Sequence, residues 1–212
     1  ANEAGKIRVQ ELKYLSGIKA DLSLNIEVLN EFINTRELHI VSTNKLLNFY
    51  EGAPVVDLDS FNFHIINILL WFPSDYHHNT FQELINTGNL AIISNDTIKN
   101  KLQNMETDYK KIRFVEDHLQ SDFQSYIYIP YFAVADVNIA FKNYEQQMSD
   151  KKQLSKITIN KKTVKALLKS QKFKNGCALS VFNNNSLILK YKDMIKSTNK
   201  LITLINRELE NN

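Results

Sequence analysis

The sequence predicts an all-α protein, an elongated antiparallel helical bundle with three long helices and several short ones, in a single helical domain over 1–212. Two observations carry this. Only 5 Gly and 3 Pro occur in 212 residues, too few for the many tight turns of a sandwich or barrel. Apolar residues also recur at alternating spacings of three and four over long stretches, the pattern that lays one stripe along a helix.

The first stripe runs from about Lys6 to Asn48 through Leu12, Leu15, Leu22, Ile26, Leu29, Ile33, Ile40 and Leu47, with Lys19, Arg36 and Thr43 as interruptions. As one helix it would extend roughly 65 Å at 1.5 Å per residue. Gly52 and Pro54 in EGAP end it. A second helix opens near Asp59 or Ser60, is apolar almost all round and therefore buried, and stops at Phe72 before Pro73. Thr80-Phe81-Gln82-Glu83 fits a capping box for a short helix over 80–87, closed by Gly88. Ser94 or Asn95 caps a second long helix, striped by Ile98, Leu102, Met105, Tyr109, Ile112, Leu119, Phe123 and Tyr126 and reaching Pro130. Tyr131, Val134, Val137, Phe141 and Tyr144 continue as a helical face. LSKITI reads as a short extended piece, and Asn160 or Thr163 opens a lysine-rich helix closing near Asn175-Gly176. Ile188, Tyr191, Ile195, Thr198, Leu201, Ile202, Ile205 and Leu209 stripe the third long helix, with the NNN run at 183–185 expected to loosen its start. Stripes of this kind leave water by facing one another, hence the bundle.

The composition, 43% hydrophobic and 23% charged, is that of a chain able to bury an ordinary core, which sets aside disorder and disulfide-dense classes. The net charge of +3 is unevenly spread. Residues 1–95 carry −5 and 96–150 carry −3, whereas Lys151 to Lys174 holds nine lysines and no acid. Lysine is a point charge without the planar fork that reads bases, so no specific nucleic acid is expected. A solvated face is the plain reading, and weak nucleic-acid or anionic-surface binding through Lys151 to Lys174 is the alternative. Cys177 is the single cysteine, which excludes an internal disulfide and multi-cysteine metal sites and reads as a buried thiol. The longest apolar run, FHIINILLWF at Phe63 to Phe72, is too short to span a bilayer.

No P-loop, G-x-G-x-x-G, G-x-S-x-G or metal-spaced cysteine pattern occurs, so phosphoryl and nucleophilic chemistry have no support. The densest set of metal-ligand types is Asp75, His77, His78 and Glu83, on a loop before a helix. A metal-dependent enzyme built on it is the alternative function, although adjacent histidines point apart and no H-E-x-x-H pair exists. His39, His64 and His118 stand singly on helices, where a core or surface role is expected. YIYIPYF at Tyr126 to Phe132 is the most binding-like segment, with core packing at a proline kink as its competing reading. No catalytic, cofactor-binding or metal residue is assigned, and no cofactor is expected.

The stretch Thr80 to Met105, through Phe81, Leu84, Gly88, Leu90, Ile93, Asn95 and Asp96, resembles a family of membrane-anchored, mainly Bacteroidetes proteins defined as a domain of unknown function. In that family a membrane-spanning helix ends in a motif like N-N-W-N-E, and Asn2-Glu3 resembles its remnant; with no initiator Met, further chain is expected upstream. The resemblance implies placement: an inner-membrane anchor by a helix preceding Asn2, with this domain in the periplasm under the positive-inside bias. No family site residues can be carried over. The expectation is a non-enzymatic, sensor-like or partner-binding domain, with a protein partner or small-molecule ligand and a possible homodimer.

Overall fold

A computed structural model describes residues 3–70, 75–149 and 158–210. They are all-α, with no strand among the described residues. The helices are α1 (Glu3–Tyr50), α2 (Leu58–Leu69), α3 (Asn79–Asn86), α4 (Asp96–Phe123), α5 (Ile129–Phe132), α6 (Val137–Met148), α7 (Lys161–Leu168) and α8 (Gln171–Glu210). A 3-10 turn (Asn89–Ile92) precedes α4, and a π-helical turn (Gln124–Tyr128) joins α4 to α5. No helix among the described residues is long and apolar enough to cross a membrane. Where one domain is expected, the contacts gather into two compact units, 1–33, 74–114 and 188–212 in the first, 34–73 and 115–187 in the second. The three long helices, α1, α4 and α8, each contribute to both.

Helix ends follow local chemistry. At the end of α1 the amide of Ala53 donates to Asn48 O (3.1 Å) and that of Gly52 to Phe49 O (3.3 Å), with Gly52 at φ +103. That is a Schellman stop, which needs the residue without a Cβ penalty. Asp57 caps α2 by accepting from the Asp59 amide (2.9 Å). The predicted stop at Phe72 and Pro73 lies outside the described residues, as does most of LSKITI. Gly88 takes φ +71 after α3, and Asn95 Oδ1 accepts from the amides of Thr97 (3.0 Å) and Ile98 (3.2 Å) to open α4.

In the first unit the core is Leu15, Ile18, Leu22 and Leu29 of α1, Phe81 and Leu84 of α3, Ile98, Leu102 and Met105 of α4, and Met194, Leu201 and Ile205 of α8. The α1 stripe is displaced from the predicted one. Leu12 and Ile26 are half-buried, while Glu11, Ile18 and Asn25 take the inner line. In the second unit Arg36 and Thr43, expected to interrupt the stripe, are themselves buried in it.

The second unit departs from expectation in four places. Helical backbone runs through Pro130 instead of ending there, because the π turn widens ahead of a residue that has no N–H to donate. α6 buries Ala140 and Asn143, not Phe141, which is exposed, because Asn62 of α2 bonds both buried residues. The lysine-rich helix ends at Leu168; Ser170 Oγ accepts from the Phe173 amide (3.2 Å), and α8 begins at once. Gly176 therefore lies inside α8, where a Cβ would come within 2.6 Å of Tyr126 O. It marks a close helix approach, not a stop. The NNN run is also helical: Asn184 is buried and donates to Ser180 O (2.8 Å), and Asn183 donates to Asp122 Oδ2 (3.0 Å).

Candidate functional site

The segment carrying Asp75, His77 and His78 belongs to the first unit, where α1 and α4 fix it. Asn25, buried at the stripe position between Leu22 and Leu29, donates from Nδ2 to His77 O (2.7 Å) and accepts at Oδ1 from the His77 amide (2.6 Å). The side-chain amide thus serves the loop as a neighbouring strand would, satisfying both of its backbone groups. Asn25 Nδ2 also meets Tyr109 Oη at 3.1 Å, and the Tyr76 ring packs 4.3 Å from that of Tyr109. Burial pushes the Tyr109 hydroxyl up to about 12. The predicted capping box does not form. Asp21 of α1 accepts from the Thr80 amide (2.9 Å) in its place, and Thr80 packs over Gly17, whose added Cβ would lie 2.8 Å from Thr80 Cγ2.

Glu106 of α4 gathers the remaining polar groups. Its Oε1 lies 3.1 Å from His78 Nδ1, and its Oε2 accepts from Gln82 Nε2 (3.3 Å). The cavity beneath, lined by Ile18, Leu22, Phe81, Leu102 and Met105 with these polar groups, measures about 20 Å³, room for a single water. His77 and Glu83 turn to solvent. Among the described residues no group of three or more His, Cys, Asp or Glu is placed to hold a metal ion. Asp75, His77, His78 and Glu83 are therefore not brought together as a metal centre: the backbone of His77 is committed to Asn25, and His78 to Glu106. His78 and Glu106 face one another at 3.1 Å across a lining that also holds Asp21, Asn25 and Tyr109.

The Gly88 to Asp96 stretch is held from α1 by a buried carboxylate. Glu11 Oε1 accepts from the amide and the hydroxyl of Ser94 (2.7 Å each), and Oε2 accepts from Arg8 Nη1 (2.6 Å). Burial alone would raise the Glu11 carboxyl, but the bonds from Ser94 and Arg8 outweigh it and hold it below its ordinary value. Ile93 is fully buried, and Asn95 Nδ2 reaches Glu208 Oε1 (2.6 Å).

In the second unit α2 and α6 are joined by a polar ladder. Asn62 Nδ2 donates to Ala140 O and Asn143 Oδ1 (2.9 Å each), Asn143 Nδ2 to Asp59 Oδ1 (2.8 Å), and Tyr144 Oη to Asn67 Oδ1 (2.9 Å). Such a chain fixes one register of the two helices. Beside it is a cavity of about 30 Å³ lined by Ile65, Tyr131, Ile139, Asn160 and Thr163 among others. The Tyr131 hydroxyl there is buried without a protein partner. His39 of α1 is also buried; desolvation, with the Arg36 charge adding to it, lowers its ring to about 4, so it is neutral.

The aromatic segment divides between the two roles expected of it. Ile127 and Tyr131 are core and Tyr128 Oη bonds Leu69 O (2.6 Å), whereas Ile129 and Phe132 are exposed. Cys177 is fully buried, and desolvation pushes its thiol up to about 12, far from a nucleophile's range. Asn25, Asp21, Glu11 and Glu106 were not singled out in the sequence. The available signal was a polar residue at a stripe position, as at Asn25. Neither known protein families, nor curated proteins, nor solved structures give a match to this chain.

Proposed function

We propose that the chain is the non-enzymatic, partner-binding domain of a membrane-anchored protein, facing the periplasm and joined to its anchor through α1. The anchor and placement rest on the resemblance of the Thr80 to Met105 stretch and on Asn2-Glu3. Protein binding is favoured over small-molecule sensing by a single contrast in the first unit. The cavity beside His78 and Glu106 is about 20 Å³, while a groove of about 220 Å³ is lined by Asp108, Lys111 and Ile112 of α4 and Lys190, Asp193, Met194 and Ser197 of α8. Small-molecule sites enclose some 300–1,000 Å³. An open trough with charged rims over the buried Ile112 and Met194 is shaped instead for side chains of a protein partner. Phe114, one turn beyond Lys111, and Leu189, beside Lys190, are 76% and 65% exposed, which supplies further apolar area on the same two helices.

The test is a photo-crosslinking residue at position 114 of the full-length protein in its own cells. A discrete adduct, absent when the probe sits at exposed Glu27, supports the reading, and its mass distinguishes a second copy from another protein. No adduct from position 114, together with a saturable rise in melting temperature on adding a small molecule, overturns it.

A further inference from the structure

We infer that the exposed face of α7 and the start of α8 is a docking surface for an anionic phospholipid bilayer. Lys161, Lys162, Lys165, Lys169 and Lys172 are all exposed, while Val164 and Leu167 point into the second unit. At 100° per residue the first four fall within an arc of about 100°, turned away from the buried pair. Lys172 Nζ stands 5.9 Å over the Tyr126 ring and Lys174 Nζ 5.7 Å over that of Tyr50, so the first turn of α8 carries two more ammonium groups, held on aromatic faces.

Among the described residues none of these lysines has a carboxylate within ion-pair distance. Asp136, which lines the cavity alongside Asn160 and Thr163, is committed to capping α6 through the Ile139 amide (3.2 Å). The placement also opposes helix stability. Lys161 and Lys162 occupy the first two positions of α7, after the Asn160 cap, and neither α7 nor α8 has an acidic residue in its first turn. The positive end of the helix dipole favours carboxylates there. Cations kept where folding disfavours them point to an external anion.

The neighbouring surface selects the kind of anion. Thr163 Oγ1 donates to Val134 O (3.2 Å), which sets the turn after α5 beside α7, and on that turn Phe132 and Val134 are 51% and 40% exposed. Exposed apolar side chains on the segment that flanks the lysine helix at Thr163 are groups that a bilayer, with acyl chains under its headgroups, can take up. A nucleic acid is the poorer fit: the lysines stand on a convex helix face, not along a groove, and none is the planar fork that grips phosphate bidentately. The inference does not depend on the α4–α8 groove of the first unit, so either can fail alone.

The full chain is sedimented with phosphatidylcholine vesicles containing about 30% phosphatidylglycerol, with phosphatidylcholine alone, and with the mixed vesicles in about 0.5 M salt. Binding is expected only to the anionic vesicles at low salt. Substituting Lys161, Lys162, Lys165 and Lys169 by Gln should weaken it by roughly fivefold per lysine, and Phe132→Ser should weaken it further, with helical circular dichroism unchanged. A control with Lys192, Lys196 and Lys200 of the first unit changed to Gln should bind as the parent does. The inference is overturned if anionic vesicles are not bound, if the four-lysine variant binds like the control, or if single- or double-stranded nucleic acid is bound more tightly than the vesicles.

Discussion

Replacing Gly176 by Ala tests whether α8 truly passes so close to the π-helical turn. In an exposed helix interior this change gains about 1 kcal/mol, because Ala has the higher propensity and the less flexible unfolded chain. Here the added Cβ would lie 2.6 Å from Tyr126 O, 2.9 Å from Tyr126 C and 2.7 Å from Ile127 Cδ1. An unstrained carbon–oxygen contact is about 3.3 Å, so helix and π turn must part by roughly 0.7 Å. Ile127 can rotate away; the Tyr126 carbonyl is backbone and cannot. Overpacking of this kind costs about 1–3 kcal/mol and occasionally more, which outweighs the propensity gain. The net loss of up to about 2 kcal/mol lowers the melting temperature, followed by circular dichroism at 222 nm, by up to roughly 4–8 °C for a chain of this size. Gly17→Ala is the comparison: its Cβ meets only the Thr80 side chain, at 2.8 Å and beyond, and should cost less. A Gly176→Ala variant as stable as the parent, or more so, would falsify the close approach.

Further outcomes follow from the buried polar groups. His39 is held neutral with its ring lowered from 6.5 to about 4, so the unfolded chain takes up a proton first. Stability should be full above about pH 6.5 and decline towards pH 4, by up to roughly 3 kcal/mol; urea midpoints against pH should show this slope flattened in His39→Gln, and an equal slope in both would count against it. Asn25→Ala leaves the His77 amide and carbonyl without their partner, a loss of about 2–4 kcal/mol, and hydrogen exchange at His77 should accelerate well before that of the α4 core. Tyr131→Phe removes a buried hydroxyl that has no protein partner, so the melting point should hold or rise; a loss above about 1 kcal/mol would place an ordered water on that oxygen. Native Cys177 should resist a maleimide at pH 8 for hours and react only in denaturant, given its full burial and raised thiol.

How much of this was legible in the sequence depends on how far each residue's partner lies along the chain. Gly52, Gly88 and Asn95 were read correctly because caps and left-handed stops are made within four or five residues. The all-α class was legible for a similar reason, since a three-and-four stripe is a local pattern. Gly176 was misread because its role is set by Tyr126, 50 residues earlier in the chain. The α6 face was misassigned because hydropathy favours Phe141, whereas the helix turns on Asn143, whose partners are Asn62 and Asp59.

Polar residues on the stripes show the same limit in a form that bears on function. A hydropathy reading treats Glu11, Asn25, Arg36 and Thr43 as gaps or passes over them, yet all four are buried. Burying such groups is costly unless they are bonded, so each marks a place where something specific must meet the helix. In the first unit Glu11 meets Ser94 and Asn25 meets His77. These two bond sets fix the loop before α3 and the turn before α4. Of the loop histidines, Asn25 fastens the backbone of His77, whose ring turns to solvent, and Glu106 faces the ring of His78. Among the described residues, exposed apolar side chains along α4 and α8 and the lysines of α7 are further groups turned to solvent.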